Sequence, residues 1–141
     1  MTERILVPVD GSEKSYDALA YAVENWPDAE VALVHALDFH ETAAAEGTVI
    51  VMDEQVRQAA ENRAEEIFEE ARELVADAGY DGELETTVEE GPPKRVIVDH
   101  AEEYDTVVMG TYGREGTGQK LLGSVAETIV RRSPTTTIVV K

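Results

Sequence analysis

The chain has 141 residues, no cysteine, and thirty acidic against twelve basic residues, for a net charge of −18. That length suits one domain with its own core, and the absence of thiols excludes disulfides, thiol nucleophiles and thiolate metal sites. So negative a surface repels nucleic acid and anionic membranes, so neither is an expected partner. Only four of the basic residues are lysine, and the acidic excess fits a halophilic protein, because salt screens the self-repulsion. No run of about eighteen apolar residues marks a membrane span. No basic-then-apolar start marks a signal peptide, so the expected location is the cytoplasm. His35, His40 and His100 show no metal-ligand spacing.

Residues 4–9 (Arg-Ile-Leu-Val-Pro-Val) form a continuous apolar run closing on Asp10-Gly11-Ser12. This predicts a buried strand of a parallel sheet, with pairing ending near Pro8. Ser12 is a candidate N-cap. Tyr16, Leu19, Ala20, Val23 and Trp26 recur at helical spacing, which predicts a helix over 13–25. Residues 30–37 read as a second strand, and 38–50 as a connection without periodicity. A long helix is predicted near 53–78, with Val56, Ala60, Ala64, Ile67, Ala71, Leu74 and Ala78 on its apolar stripe, Phe68 and Val75 widening it, and a run of glutamates on its solvated face. Gly79 is its expected C-cap.

Residues 84–89 alternate weakly, as a half-exposed edge strand does. Pro92-Pro93 opens a helix whose inner face carries Pro93, Val96, Ile97, His100 and Ala101. Residues 105–110 form a fourth strand. Leu122, Val125, Ala126, Ile129 and Val130 form the stripe of a last helix, and 135–140 a fifth strand. Strands alternating with helices predict an α/β fold: one open parallel sheet covered on both faces, in one domain over 1–141.

The fourth strand ends in Gly110, Gly113, Gly116 and Gly118, four glycines within nine residues. A helix follows. Such a loop turns backbone N–H groups toward one point and suits a phosphate. It is not a Walker A loop, because Gly118 is followed by Gln119 and not by Lys-Ser/Thr. Nor is it a dinucleotide fingerprint, because Gly116-x-Gly118-x-x ends on Leu121.

Gly110-x2-Gly113-x9-Gly123-Ser124 resembles the nucleotide-binding signature of the universal stress protein family, in its ATP-binding branch. The words Val-Met-Gly-Thr-x-Gly-Arg, Leu-Leu-Gly-Ser-Val-Ala-Glu and Arg-Arg-Ser-Pro are similar to that family too, and the likeness runs along essentially the whole chain. It implies a Rossmann-like (adenine nucleotide alpha hydrolase-like) five-stranded sheet of order 3-2-1-4-5, with ligands at the carboxyl ends of the strands. It also implies ATP as ligand, Mg²⁺ carried with the nucleotide, and a homodimer through the fifth strand.

Carried onto this sequence, the resemblance implies that Asp10, in Pro8-Val9-Asp10, accepts ribose hydroxyls. Pro8 and the backbone of Ala36 lie by adenine. Gly110 and Gly113 admit the phosphates, with Arg114 in reach. Gly123, Ser124 and Val125 close on the phosphates from the other side. No catalytic residue is assigned, and no protein ligand to a metal is identified. His35 and His100 read as structural histidines, and no Ser-His-Asp trio is visible in the spacing. The expected function is a nucleotide-dependent regulator in stress response. The alternatives are a slow ATPase or self-phosphorylating enzyme acting through Ser124 or a neighbouring threonine, and an interaction module with a vestigial site.

Overall fold

The computed structural model describes residues 2–39, 54–111 and 123–141. Five strands, β1 (Arg4–Pro8), β2 (Glu30–Leu37), β3 (Glu85–Glu90), β4 (Thr106–Gly110) and β5 (Thr136–Val140), alternate with α1 (Glu13–Asn25), α2 (Glu54–Asp77), α3 (Pro93–Ala101) and α4 (Ser124–Arg132). The strands form one sheet in the order β3-β2-β1-β4-β5, every pair parallel. Crossover helices impose this arrangement, since parallel neighbours cannot be joined by a tight turn.

The core lies on both sides of the sheet. On one face α1 and α2 pack Leu19, Ile67, Phe68 and Val75 onto Ile5, Val7, Val31 and Leu33. On the other, α3 and α4 pack Val96, Ile97, Ala126 and Ile129 onto Leu6, Val34 and Val107. Alternate residues of β1 therefore serve opposite faces, and all three of its central residues are buried.

The helix ends follow their sequence signals. Ser12 caps α1, its side-chain oxygen accepting the Ser15 N–H at 3.2 Å. Gly79, at φ +87°, ends α2: its N–H reaches the Ala76 carbonyl, and the next N–H, from Tyr80, reaches Val75. That is a Schellman ending, and it needs a residue tolerant of positive φ. It also seats Tyr80 in the core, where its hydroxyl donates to the Ala29 carbonyl at 2.7 Å. Burial pushes the Tyr80 hydroxyl above its ordinary pKa.

Three details depart from the sequence reading. On α1, Ala18 and Ala22 lie deeper than Tyr16 and Ala20, because the sheet approaches the small side chains closely. On α4, Val130 is 50% exposed; it lies about a quarter-turn beyond the buried Ile129. Pro8 still pairs with Val34 on β2, so the ladder does not end there on that side. The break is toward β4, where pairing is confined to Ile5 and Leu6. The N–H of Val9 donates to Val34 on β2, so strand alternation turns the Pro8 nitrogen toward β4, with no hydrogen to give. The seam between β1 and β4 is thereby left unlaced at its carboxyl end, the place where the strand order reverses.

Candidate functional site

A cleft of about 830 Å³ opens above that seam. The ends of β1, β2 and β4 form its floor. Its walls are the first turns of α3 and α4 on one side and α2 on the other. Pro8, Asp10, Ala36, Gly110, Gly123, Ser124 and Val125 all line it. Residues more than a hundred apart in sequence thus meet at one place. Gly113 and Arg114 fall outside the described residues, as do Gly116 and Gly118.

Asp10 sits on a tight turn. Its Oδ1 accepts the Ser12 N–H at 2.9 Å, and Gly11 between them takes φ +84°. This turn holds the carboxylate at the carboxyl end of β1 while its side chain stays exposed to the cleft. The turn is laced to β2 as well. His35 contacts the Val9 carbonyl through Nδ1 at 2.8 Å. A carbonyl only accepts, so Nδ1 carries the hydrogen and donates it. The ring stands edge-on to Phe68, centroids 6.5 Å apart. His35 therefore fastens the two strand ends that carry Asp10 and Ala36.

On the β4 side, the Gly123 N–H donates to the Thr111 carbonyl at 3.0 Å. That bond pins together the two ends of the glycine-rich segment. Gly123 is the N-cap of α4 and makes no side-chain cap. The amides of the first turn of α4 therefore have no side-chain acceptor from the cap residue, and they lie at the cleft wall with the positive end of the helix dipole. Such an end is suited to an anion.

Gly110 has a second reason to be glycine. A β-carbon there would lie 2.5 Å from the Lys14 carbonyl oxygen and 2.7 Å from its carbon. Both are backbone atoms of α1. The close packing of α1 on β4 requires the missing side chain whether or not a ligand is bound.

Two charged lining groups escaped the sequence reading. Arg63 reaches the cleft from α2, and Asp38 from the end of β2. Arg63 sits among the glutamates of a solvated helix face, and nothing along the chain marks it as different. Its Nη1 pairs with Glu66 at 3.3 Å and Glu70 at 3.4 Å. Glu70 also accepts from the Tyr16 hydroxyl at 3.1 Å. Burial first, and then the Glu70 charge, push the Tyr16 hydroxyl up to about 12. Tyr16 is thus a hydrogen-bond donor at neutral pH, and not a base.

His100 is not at the cleft. Its Nε2 lies 2.8 Å from Glu89 on the edge strand. Among the described residues no group of three or more His, Asp or Glu is placed to hold a metal ion. Nor is any described helix long and apolar enough to cross a membrane.

The acidic turn and the anion-suited start of α4 stand at the switch point of an open parallel α/β sheet, the place where sheets of this class hold their ligands. The chain belongs to the universal stress protein family, whose model matches residues 1–141. It is 30% identical over 145 residues to universal stress protein MJ0531 of Methanocaldococcus jannaschii, covering 99% of this chain and 82% of that one. Among solved structures it is similar to hypothetical protein MJ0577, with a TM-score of 0.81 and 28% identity over 100% of this chain and 96% of that one. It also shares its fold with a universal stress protein solved in complex with cAMP, with a TM-score of 0.69 and 24% identity over 99% and 96% of the two chains.

Proposed function

We propose that the cleft binds an adenine nucleotide, ATP above all, and that the protein acts as a nucleotide-dependent regulator in stress response. One observation carries this reading: the Asp10 carboxylate and the side-chain-uncapped start of α4 line the same cleft. A carboxylate suits ribose hydroxyls and a helix start suits phosphate, so the pair matches the two polar parts of a nucleotide. Pro8, Ala36 and Pro93 are half-buried apolar residues of the lining, and such a surface fits a flat base. The cAMP complex of a fold relative supports the choice of ligand class.

Mg²⁺ would arrive with the phosphates. Asp10 and Asp38 are the carboxylates along the described lining, and this ion takes most of its remaining oxygens from phosphate and water. His100 stands away from the cleft, on Glu89, and the Nδ1–H bond of His35 to Val9 ties its ring to the end of β1. Binding is the reading that Asp10 and the start of α4 support.

A second copy of the chain is proposed to pair along β5. That strand is an edge with four of its five residues half-buried, and Val130 on the neighbouring α4 is 50% exposed. A monomeric mass in solution would contradict it.

Thermal melting of nucleotide-stripped protein tests both the ligand and the halophilic reading. The midpoint should rise from low to multimolar potassium chloride, and rise again when ATP and Mg²⁺ are added. A ligand at about a hundred times its Kd contributes about 2.7 kcal/mol. A midpoint indifferent to ATP at every salt concentration would count against the ligand. One indifferent to salt would count against adaptation to it.

A further inference from the structure

Given the nucleotide reading above, on which this rests, we propose that Arg63 is a second anion-binding point in the cleft. It would read a phosphate on the 2′ or 3′ position of the ribose that Asp10 holds. The ligand class is then a nucleotide phosphorylated on both sides of its sugar, and not only at the 5′ position.

The walls of the cleft differ in a way that a singly phosphorylated ligand does not use. The start of α4 belongs to the face of the sheet that carries α3 and α4, whereas Arg63 belongs to the α1–α2 face. Asp10 stands at the end of β1, at the seam of the sheet from which the two faces diverge. A ribose bound there turns its 5′ substituent to one wall and its hydroxyl edge to the other. Arg63 is the guanidinium on that second wall, and no other Arg or Lys is among the described lining residues.

The guanidinium is split between two environments. Nη1 faces outward to Glu66 and Glu70. Nη2 lies over the Asp10-Gly11-Ser12 turn, in the space a β-carbon on Gly11 would meet at 2.7 Å. The chain presents Arg63 to the turn that positions the proposed ribose contact. Its present partners hold it loosely: the Arg63 side chain is 51% exposed, with Glu66 at 66% and Glu70 at 50%, and exposed pairs of this kind contribute little. A phosphate offers a planar guanidinium two parallel hydrogen bonds and a larger charge than a carboxylate. In a chain of net charge −18, a second anionic group on a ligand costs affinity unless a cation meets it, and Arg63 is placed to do so.

The test is calorimetric titration of AMP, adenosine 2′,5′-bisphosphate and adenosine 3′,5′-bisphosphate, at one fixed salt concentration. The proteins are the parent, Arg63→Gln and Arg63→Lys, each shown by melting to be folded. One bisphosphate should bind the parent about tenfold tighter than AMP, the difference a charged hydrogen-bonded pair makes. Arg63→Gln should erase that preference and leave AMP within about twofold of the parent. Arg63→Lys, a point charge without the fork, should retain part of it. Equal binding of AMP and both bisphosphates by the parent, or a preference for AMP, would overturn the proposal while leaving the nucleotide reading intact. So would an equal loss for all ligands in Arg63→Gln. If the parent binds none of the three and no ATP, the nucleotide reading itself fails, and the role of Arg63 falls with it.

Discussion

Gly110→Ala is expected to destabilise the protein by about 1–3 kcal/mol in the absence of any ligand. The new β-carbon would sit 2.5 Å from the Lys14 carbonyl oxygen, well inside contact distance. Neither partner is a flexible side chain that can swing away. Relief requires α1 to lift from β4, which loosens the buried Ala18, Leu19 and Ala22 as well. Urea unfolding should show a lower midpoint at an unchanged slope, because the change lies in stability and not in the surface exposed. A variant as stable as the parent would show that α1 gives way at no cost, and that Gly110 answers only to the loop after it.

Asp10→Ala should lower nucleotide affinity by roughly tenfold to a hundredfold, the loss of a charge-assisted contact. It should also cost about 0.5–1.5 kcal/mol of stability, because Oδ1 no longer accepts the Ser12 N–H. Asp10→Asn separates the two effects. Its amide oxygen can still accept from Ser12, so stability should stay near that of the parent. Its lost charge should still weaken binding by roughly tenfold. If both variants bind nucleotide as the parent does, Asp10 shapes the turn and nothing more.

The order of the elements was legible because each is written in local pattern. The apolar run of residues 4–9, the helical spacing on α2, the cap at Ser12 and the stop at Gly79 all report on neighbours along the chain. The likeness of the glycine spacing to a known family then supplied the strand order, which the chain alone does not encode, and the sheet has that order.

What stayed hidden depends on contacts across the sheet. The bond from His35 to Val9 spans 26 residues, and no periodicity records it. Along the chain Gly110 reads as an opening for phosphate, yet its tightest neighbour is the backbone of a helix that begins near residue 13. Arg63 belongs to a charge run that is solvated for most of its length. Its reach to the cleft follows from where α2 crosses the end of β1, a tertiary fact. Val130 fits the stripe by spacing, but α4 turns it away from the core.

The central claim is that the cleft between the β1 turn and the α4 start takes one adenine nucleotide per chain. Calorimetric titration of ATP with Mg²⁺ into stripped protein, beside a Gly123→Val variant shown to be folded, tests it most directly. Saturable binding at one site per chain in the parent, and its loss when a branched side chain crowds the start of α4, is the predicted result. A folded parent that takes up no ATP would contradict the account.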